Sequence, residues 1–222
     1  MGLDHEAQQS LNKFGYSSGD IILFMYAFIG GTSAAGKTYI AKKFAKKSKL
    51  PIHVVSIDEF RKEFAKDPKL KYWVDILWNE NEEEYWKTTN YEKDIKNLIG
   101  QSEAFWPSIL NIIKKTKKNH EHAIFEAVNI QPHLAKKDLD FSGLFLINED
   151  YKTLIERFKK NPRWGKTDKL QKLEIEYLLK HDVAFIKKEA KKYGYKVFNN
   201  SNDAFGKLDK IFNTQQNNGV LI

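Results

Sequence analysis

The residues with the clearest chemical meaning are Gly31-Thr32-Ser33-Ala34-Ala35-Gly36-Lys37-Thr38, which fit the pattern G-x-x-x-x-G-K-[ST]. Backbone N–H groups of such a loop, and of the helix that follows it, point at anionic phosphate oxygens. The glycines let the backbone come close and adopt positive φ. Lys37 would reach the β- and γ-phosphates, and the Thr38 hydroxyl would ligate Mg²⁺. The octet therefore implies a bound nucleoside triphosphate with magnesium. Its context fits, because an apolar run precedes it and a helical pattern follows.

Other residues could act on that phosphate. Asp58, in Ser56-Ile57-Asp58-Glu59-Phe60-Arg61, closes a second apolar run. A carboxylate there could accept a hydroxyl proton during phosphoryl transfer, or cap the next helix. Arg61 lies one helical turn on and could hold an anionic substrate group or form a surface ion pair. Of the 37 basic residues only Arg61, Arg157 and Arg163 are arginine. Arginine offers a rigid fork that lysine cannot imitate. Arg157 and Arg163 fall where a helix runs into a loop holding Pro162 and Gly165. Arginines on such a closing loop can neutralise charge on a transferring phosphoryl group. Glu126 ends a third apolar run as a single acid followed by Ala127, which speaks against a mechanical ATPase with its usual acidic pair. Asp140–Gly143 and Asp203–Gly206 match D-x-x-G, but neither closes an apolar strand and no N-K-x-D occurs, so a GTPase is disfavoured.

These residues need a scaffold. Strands are expected at Ile21–Gly30, Ile52–Ile57, Ala123–Val128, Gly143–Ile147 and Lys196–Phe198. Helices are expected at Lys37–Lys47, Glu59–Lys66, Ser108–Lys118, Asp150–Lys160 (capped by Asp150), Asp168 to about Tyr193 and about Asp203 to Phe212. Gly194 is placed to end the long helix as its C′ residue. The alternation predicts an α/β chain with a mostly parallel five-stranded sheet flanked by helices, with ligands beyond the carboxyl ends of the strands. Residues 1–20 read as a polar extension, 21–212 as the domain and 213–222 as a polar tail. Within the domain, 67–105 reads as a helical insertion holding Trp73, Trp78 and Trp86, either core or lining for an acceptor pocket. Residues 157–168 read as a lid.

The chain has 222 residues, no cysteine and a net charge of +8. Disulfides and thiolate metal sites are thereby excluded. The longest apolar run, Ile21–Ile29, is far short of the ~20 residues that cross a bilayer. Asp4, Glu6 and Asp20 against Lys13 leave no basic region ahead of it. The expectation is a cytoplasmic protein without a membrane partner. Lysine pairs such as Lys46–Lys47, Lys117–Lys118 and Lys191–Lys192 suit helix C-termini, which favour cations. Nucleic-acid binding is the less favoured reading of this surplus. His53, His133 and His181 lack ligand spacing and read as structural or surface residues.

The loop, the Asp58–Arg61 motif and the arginine-bearing segment together resemble the P-loop kinases of small molecules, over about residues 21–212. Gly30-Gly-Thr-Ser and Phe125-Glu126-Ala-Val-Asn-Ile-Gln-Pro132 look closest to 2-phosphoglycerate kinase-like proteins, with Ala127 and Asn129 where those carry Gly and His. The uridine kinase pattern is also similar. The resemblance implies a three-layer P-loop kinase fold and transfer of the γ-phosphate of Mg-ATP to a hydroxyl of a small metabolite, itself phosphorylated or not. It implies Asp58 as base, Glu126 as magnesium or water ligand, Lys37 and Thr38 at the phosphates, and Arg157 and Arg163 as lid arginines. Asn200, in the Asn199–Asn202 loop, would touch adenine, and residues 67–105 would cover the substrate. The alternatives are a kinase of a nucleic-acid end, nucleotide-sugar or antibiotic, as in zeta-toxin-like proteins, and a nucleotide-binding regulator without transfer chemistry.

Overall fold

A computed structural model describes residues 24–76, 84–85, 88–162, 166–199 and 201–217. The expectations for residues 1–20, Trp78, Trp86, Arg163 and Asn200 lie outside the described residues. In chain order the elements are β1 (Met25–Gly31), α1 (Lys37–Lys47), β2 (His53–Ser56), a 3₁₀ turn (Ile57–Phe60), α2 (Arg61–Phe64), α3 (Pro68–Asp75), α4 (Tyr91–Asn119), β3 (His122–Glu126), α5 (Pro132–Asp138), β4 (Gly143–Leu146), α6 (Tyr151–Lys160), α7 (Asp168–Tyr177), a π-helical segment (Leu178–Asp182), α8 (Val183–Lys192), β5 (Val197–Phe198) and α9 (Ser201–Asn217).

The five strands pair in the order β2-β3-β1-β4-β5. Every pairing is parallel. β1 lies at the centre and is buried at each position. Its side chains alternate between two cores, as the strand period demands. Met25, Ala27 and Ile29 pack with Ile40 and Phe44 of α1 and with Leu208 and Phe212 of α9. Tyr26 and Phe28 pack on the other face with Phe105 and Ile109 of α4 and with Phe158 of α6. Helices thus cover both faces, giving the three-layer fold expected. An all-parallel sheet is stable only when covered in this way.

Local signals explain most element ends. Asp150 caps α6 through its carboxylate, which accepts the Thr153 N–H at 2.5 Å. Thr167 caps α7 by accepting the Leu170 N–H at 3.3 Å. Gly194 follows α8 with φ 78°, and its N–H donates back to Lys191 O at 3.2 Å, as a C′ residue should.

The structure departs from expectation in five places. The helix expected from Ser108 begins at Tyr91 and runs through Pro107. Proline normally breaks a helix interior, but here Phe105, Trp106 and Ile109 are buried and hold the helix in the core. The insertion expected over 67–105 therefore has no boundary at 105, since α4 continues from it into the domain. The helix expected from Glu59 is instead a 3₁₀ turn followed by a single α-turn, and β2 ends at Ser56, so Asp58 lies within the 3₁₀ turn just beyond the strand. The long helix from Asp168 carries the π-helical segment at Leu178–Asp182. Finally, α9 extends to Asn217, so the tail expected from 213 is helical at its start. α5 was not foreseen; it is short, and Pro132 at its first turn hides its apolar pattern.

Candidate active site

The parallel register sets the site. Ile29 of β1 and Ser56 of β2 both pair with Glu126, the last residue of β3. The carboxyl ends of the three strands are thus level, and the chain leaves each of them on the same side. Thr38, Asp58 and Glu126 all line a cavity of about 1020 Å³ on that side, together with the phosphate loop and Arg61 and Arg157.

The loop between β1 and α1 has backbone that only certain residues accept. Gly31 has φ 123°, and a Cβ there would lie 1.9 Å from Leu146 O. The Thr32 N–H donates to that same carbonyl at 3.2 Å, which ties the loop to β4. Gly36, with φ 99°, stands at the N-cap of α1. A Cβ on Gly36 would meet the Arg157 guanidinium at 3.3 Å. Ala34 also has positive φ, at 51°. The result is a backbone cradle that leads into a helix N-terminus, the arrangement that binds anions.

Lys37 is 5% exposed. Its ammonium folds over the loop and donates to Thr32 O at 2.8 Å and to Gly31 O at 3.5 Å. Thr38 Oγ1 donates to Glu126 Oε1 at 2.7 Å. Glu126 is 1% exposed, so this carboxylate is committed to the interior of the site. A hydroxyl and a carboxylate are hard oxygen donors suited to Mg²⁺, which takes one or two carboxylates plus substrate phosphates. Among the described residues no group of three or more His, Cys, Asp and Glu gathers to hold a metal without such help.

Asp58 and Arg61 stand at the mouth of β2. Arg61 Nη2 is 3.6 Å from Asp58 Oδ1, and both side chains are mostly buried. Arg157, at the end of α6, reaches back across the cavity. Its Nη1 donates to Ala34 O at 2.7 Å, so the guanidinium lies directly on the phosphate loop. Thus Lys37, Thr38, Asp58, Arg61, Glu126 and Arg157 converge, as do the remaining loop residues, with Ala35 buried beneath them. Asn199, beside the Asn200 expectation, uses its Oδ1 to accept the Glu149 N–H at 2.9 Å and so joins β5 to β4.

Sequence reading named none of the side chains of the opposite wall, although Asp94, Leu98 and Gln101 fall within the 67–105 segment expected to cover the substrate. α4 contributes Asp94, Leu98 and Gln101, and α7 with the π-helical segment contributes Glu174, Tyr177, Leu178 and Asp182. Burial pushes the Asp182 carboxyl well above its ordinary range, and Asp94 and Glu174 push it the same way. Burial also raises Asp94, against the opposing influence of a Tyr85 hydrogen bond and of His181. Tyr177 is pushed up to about 12 by burial and by Asp94 and Asp182. No motif marks these residues, because they come from separate helices. The tryptophans that can be placed serve the core. Trp73 packs against Gly100, and its carbonyl accepts from Gln101 Nε2 at 2.6 Å. Trp106 is buried and donates to Asp138 Oδ2 at 2.7 Å. Asn129 is buried and donates to Gln101 Oε1 at 2.9 Å and to Ser102 Oγ at 3.1 Å, pinning the end of β3 to α4.

No family model matches the sequence, and no curated protein matches it. Among solved structures the chain is similar to a shikimate kinase from Acinetobacter baumannii in complex with shikimate, at 9% identity and TM-score 0.47, over 87% of this chain and 96% of that one. It is also similar to a deoxyadenosine kinase from M. mycoides with the products dCMP and dCDP, at 19% identity and TM-score 0.41, over 86% and 100%. A third, an uncharacterized protein from Eubacterium ventriosum, aligns at 14% identity and TM-score 0.40, over 86% and 99%. At such identities and TM-scores, function is read from the site's own geometry.

Proposed function

We propose that this protein is an ATP-dependent phosphotransferase that moves the γ-phosphoryl group of Mg-ATP to a hydroxyl of a small molecule. The observation that carries this reading is the 2.7 Å contact between Thr38 Oγ1 and Glu126 Oε1. These residues are far apart in sequence, yet they meet beside the phosphate loop as the hydroxyl and carboxylate that magnesium needs. A bound Mg²⁺ would neutralise charge shared by the β- and γ-phosphates.

The chain's own groups account for the remaining requirements. The loop N–H groups and Lys37 hold the phosphates. Asp58 accepts the proton of the acceptor hydroxyl, whose oxygen bonds to the γ-phosphorus as the bond from that phosphorus to the bridging oxygen breaks. The electron pair of that bond stays on the ADP oxygen. Arg157 faces the equatorial oxygens, and Arg61 holds Asp58 in place beside the acceptor. Arg163 and Asn200 are assigned to the lid and to adenine by sequence alone.

The test is phosphoryl transfer by the Asp58→Asn variant. Transfer should fall at least ~100-fold, as on loss of a general base, while ATP affinity stays unchanged. Full turnover in this variant would remove Asp58 from the reaction.

A further inference from the structure

The lysines of this chain are not all balanced in the same way. On several elements they have an acid at hand: Lys71 of α3 pairs with Asp75, Lys117 of α4 with Asp140, and Lys187 and Lys192 of α8 with Glu149 and Glu189. α1 is different. Its outer side carries Lys42, Lys43, Lys46 and Lys47, and Lys49 follows just beyond its end. Among the described residues none of these five forms an ion pair. The sequence holds 29 acids, yet none falls between Asp20 and Asp58.

Such a face costs the helix stability. Lys42 and Lys46, and likewise Lys43 and Lys47, stand at i,i+4 spacing, where like charges repel. The helix dipole favours Lys46 and Lys47 in the last turn, but not Lys42 and Lys43. A second, independent feature lies in the same row. Tyr39 stands one turn before Lys42 and Lys43, is 59% exposed, and has the Lys43 ammonium 5.5 Å from its ring centre. It also lines the cavity of the phosphate loop. The other strongly exposed aromatic residues among those described, Tyr72, Tyr91 and Tyr151, do not. An unburied ring at the rim of a site, leading into a row of unbalanced cations, suits a partner that is both aromatic and polyanionic.

We propose that the outer face of α1 binds a single-stranded nucleic acid, its phosphates along Lys42, Lys43, Lys46, Lys47 and Lys49 and one base stacked on Tyr39 at the rim of the cavity. Strands are held without sequence preference by cations that follow the backbone and by rings on which bases stack. At a rise of 1.5 Å per residue the row from Tyr39 to Lys49 spans about 15 Å, which accommodates a few nucleotides. An anionic membrane would need an apolar face beside the lysines, whereas Tyr39 is the one large apolar side chain exposed on α1. An acidic protein would meet the lysines but leave the ring without a partner. The lysine surplus as a whole still serves solvated helix faces; α1 is the place where no acid balances it. The proposal does not rest on the phosphotransferase reading.

The experiment titrates the full chain against a fluorescein-labelled oligouridylate of about 12 nucleotides, read by anisotropy. Neutralising about four phosphates should cost roughly 50-fold in affinity between about 50 and 200 mM salt. Lys42→Glu with Lys46→Glu should weaken binding and reduce that salt dependence to less than about tenfold. Lys188→Glu with Lys191→Glu on α8 changes the net charge equally and should leave the salt dependence as it was. Tyr39→Ala should weaken binding at least about fivefold, and Tyr39→Phe should keep it, as loss and retention of a stacking ring do. All five side chains are exposed, so the variants keep their fold. No binding at low salt, or equal loss in the two double variants, would overturn the proposal. So would equal binding by Tyr39→Ala and the unaltered chain, or a loss in Tyr39→Ala of ATP affinity alone. A polyglutamate peptide or phosphatidylserine vesicles binding as tightly as the oligonucleotide would assign the face to a protein or a membrane and overturn it as well.

Discussion

The two walls of the cavity are built by different means. The phosphate wall is mostly backbone: strained glycines, loop N–H groups and a helix N-terminus, with Lys37 folded onto carbonyls of its own loop. The helical wall is side chain: carboxylates and an amide drawn from α4, α5, α7 and the π-helical segment. Backbone recognition suits a ligand part common to many enzymes, such as a triphosphate. Side-chain recognition can change one residue at a time without disturbing the sheet, so it suits the part that makes one acceptor different from another.

The sharpest way to break this contrast is at Lys37. Lys37→Ala should reduce phosphoryl transfer on the order of 1000-fold, as removal of a preorganised charge-stabilising donor does, measured as initial rates of ADP release. Glu126→Gln should come next. It leaves Thr38 a weaker partner and should weaken magnesium dependence by about 10- to 100-fold, read as the Mg²⁺ concentration needed for half-maximal rate. Gly36→Ala should raise the ATP KM, because φ 99° is unfavourable to alanine and its Cβ would press on the Arg157 guanidinium at 3.3 Å; Arg157→Ala in the same chain should relieve the second cost but not the first. By contrast, Asp94→Asn and Asp182→Asn should leave ATP affinity within about twofold, a change of less than one RT of free energy.

The smallest expected effect is on stability. Asp182 titrates above its ordinary value of 3.8 in the fold, because burial opposes its charge and Asp94 and Glu174 repel it. The folded state therefore holds this proton where the unfolded state has lost it. By linkage, this residue's contribution to stability is present below pH 3.8 and is lost as pH rises towards the raised folded value. Asp182→Asn should remove that part of the slope of Tm against pH and leave the variant more stable at neutral pH. Thermal unfolding of both proteins across the acidic-to-neutral range checks this.

The same contrast explains what was legible in the sequence. Gly31–Thr38 is contiguous, and its chemistry depends on residue types at fixed spacing, so the loop could be read directly. Asp58 and Glu126 were legible because each closes an apolar run, and parallel strands bring such ends level. Asp94, Gln131, Glu174 and Asp182 gave no such signal. Each is an ordinary polar residue on a helix or, for Gln131, at a helix N-cap, and only the packing of the helices turns it inward. Pro107 misled for a related reason: its local cost is real, but the burial of Phe105, Trp106 and Ile109 outweighs it. The π-helical turn at Leu178–Asp182 likewise leaves no mark in a pattern that reads as one long helix.

The most direct test of the central claim follows the γ-phosphate itself. The protein is incubated with Mg-ATP labelled on the γ-phosphorus and a pooled fraction of small hydroxylated molecules, and the label is traced by mass. The account predicts that the label moves onto a small acceptor, that Lys37→Ala abolishes the transfer, and that Asp58→Asn cuts it at least ~100-fold while still binding ATP. Label released only to water, or transferred at full rate by Asp58→Asn, would contradict it.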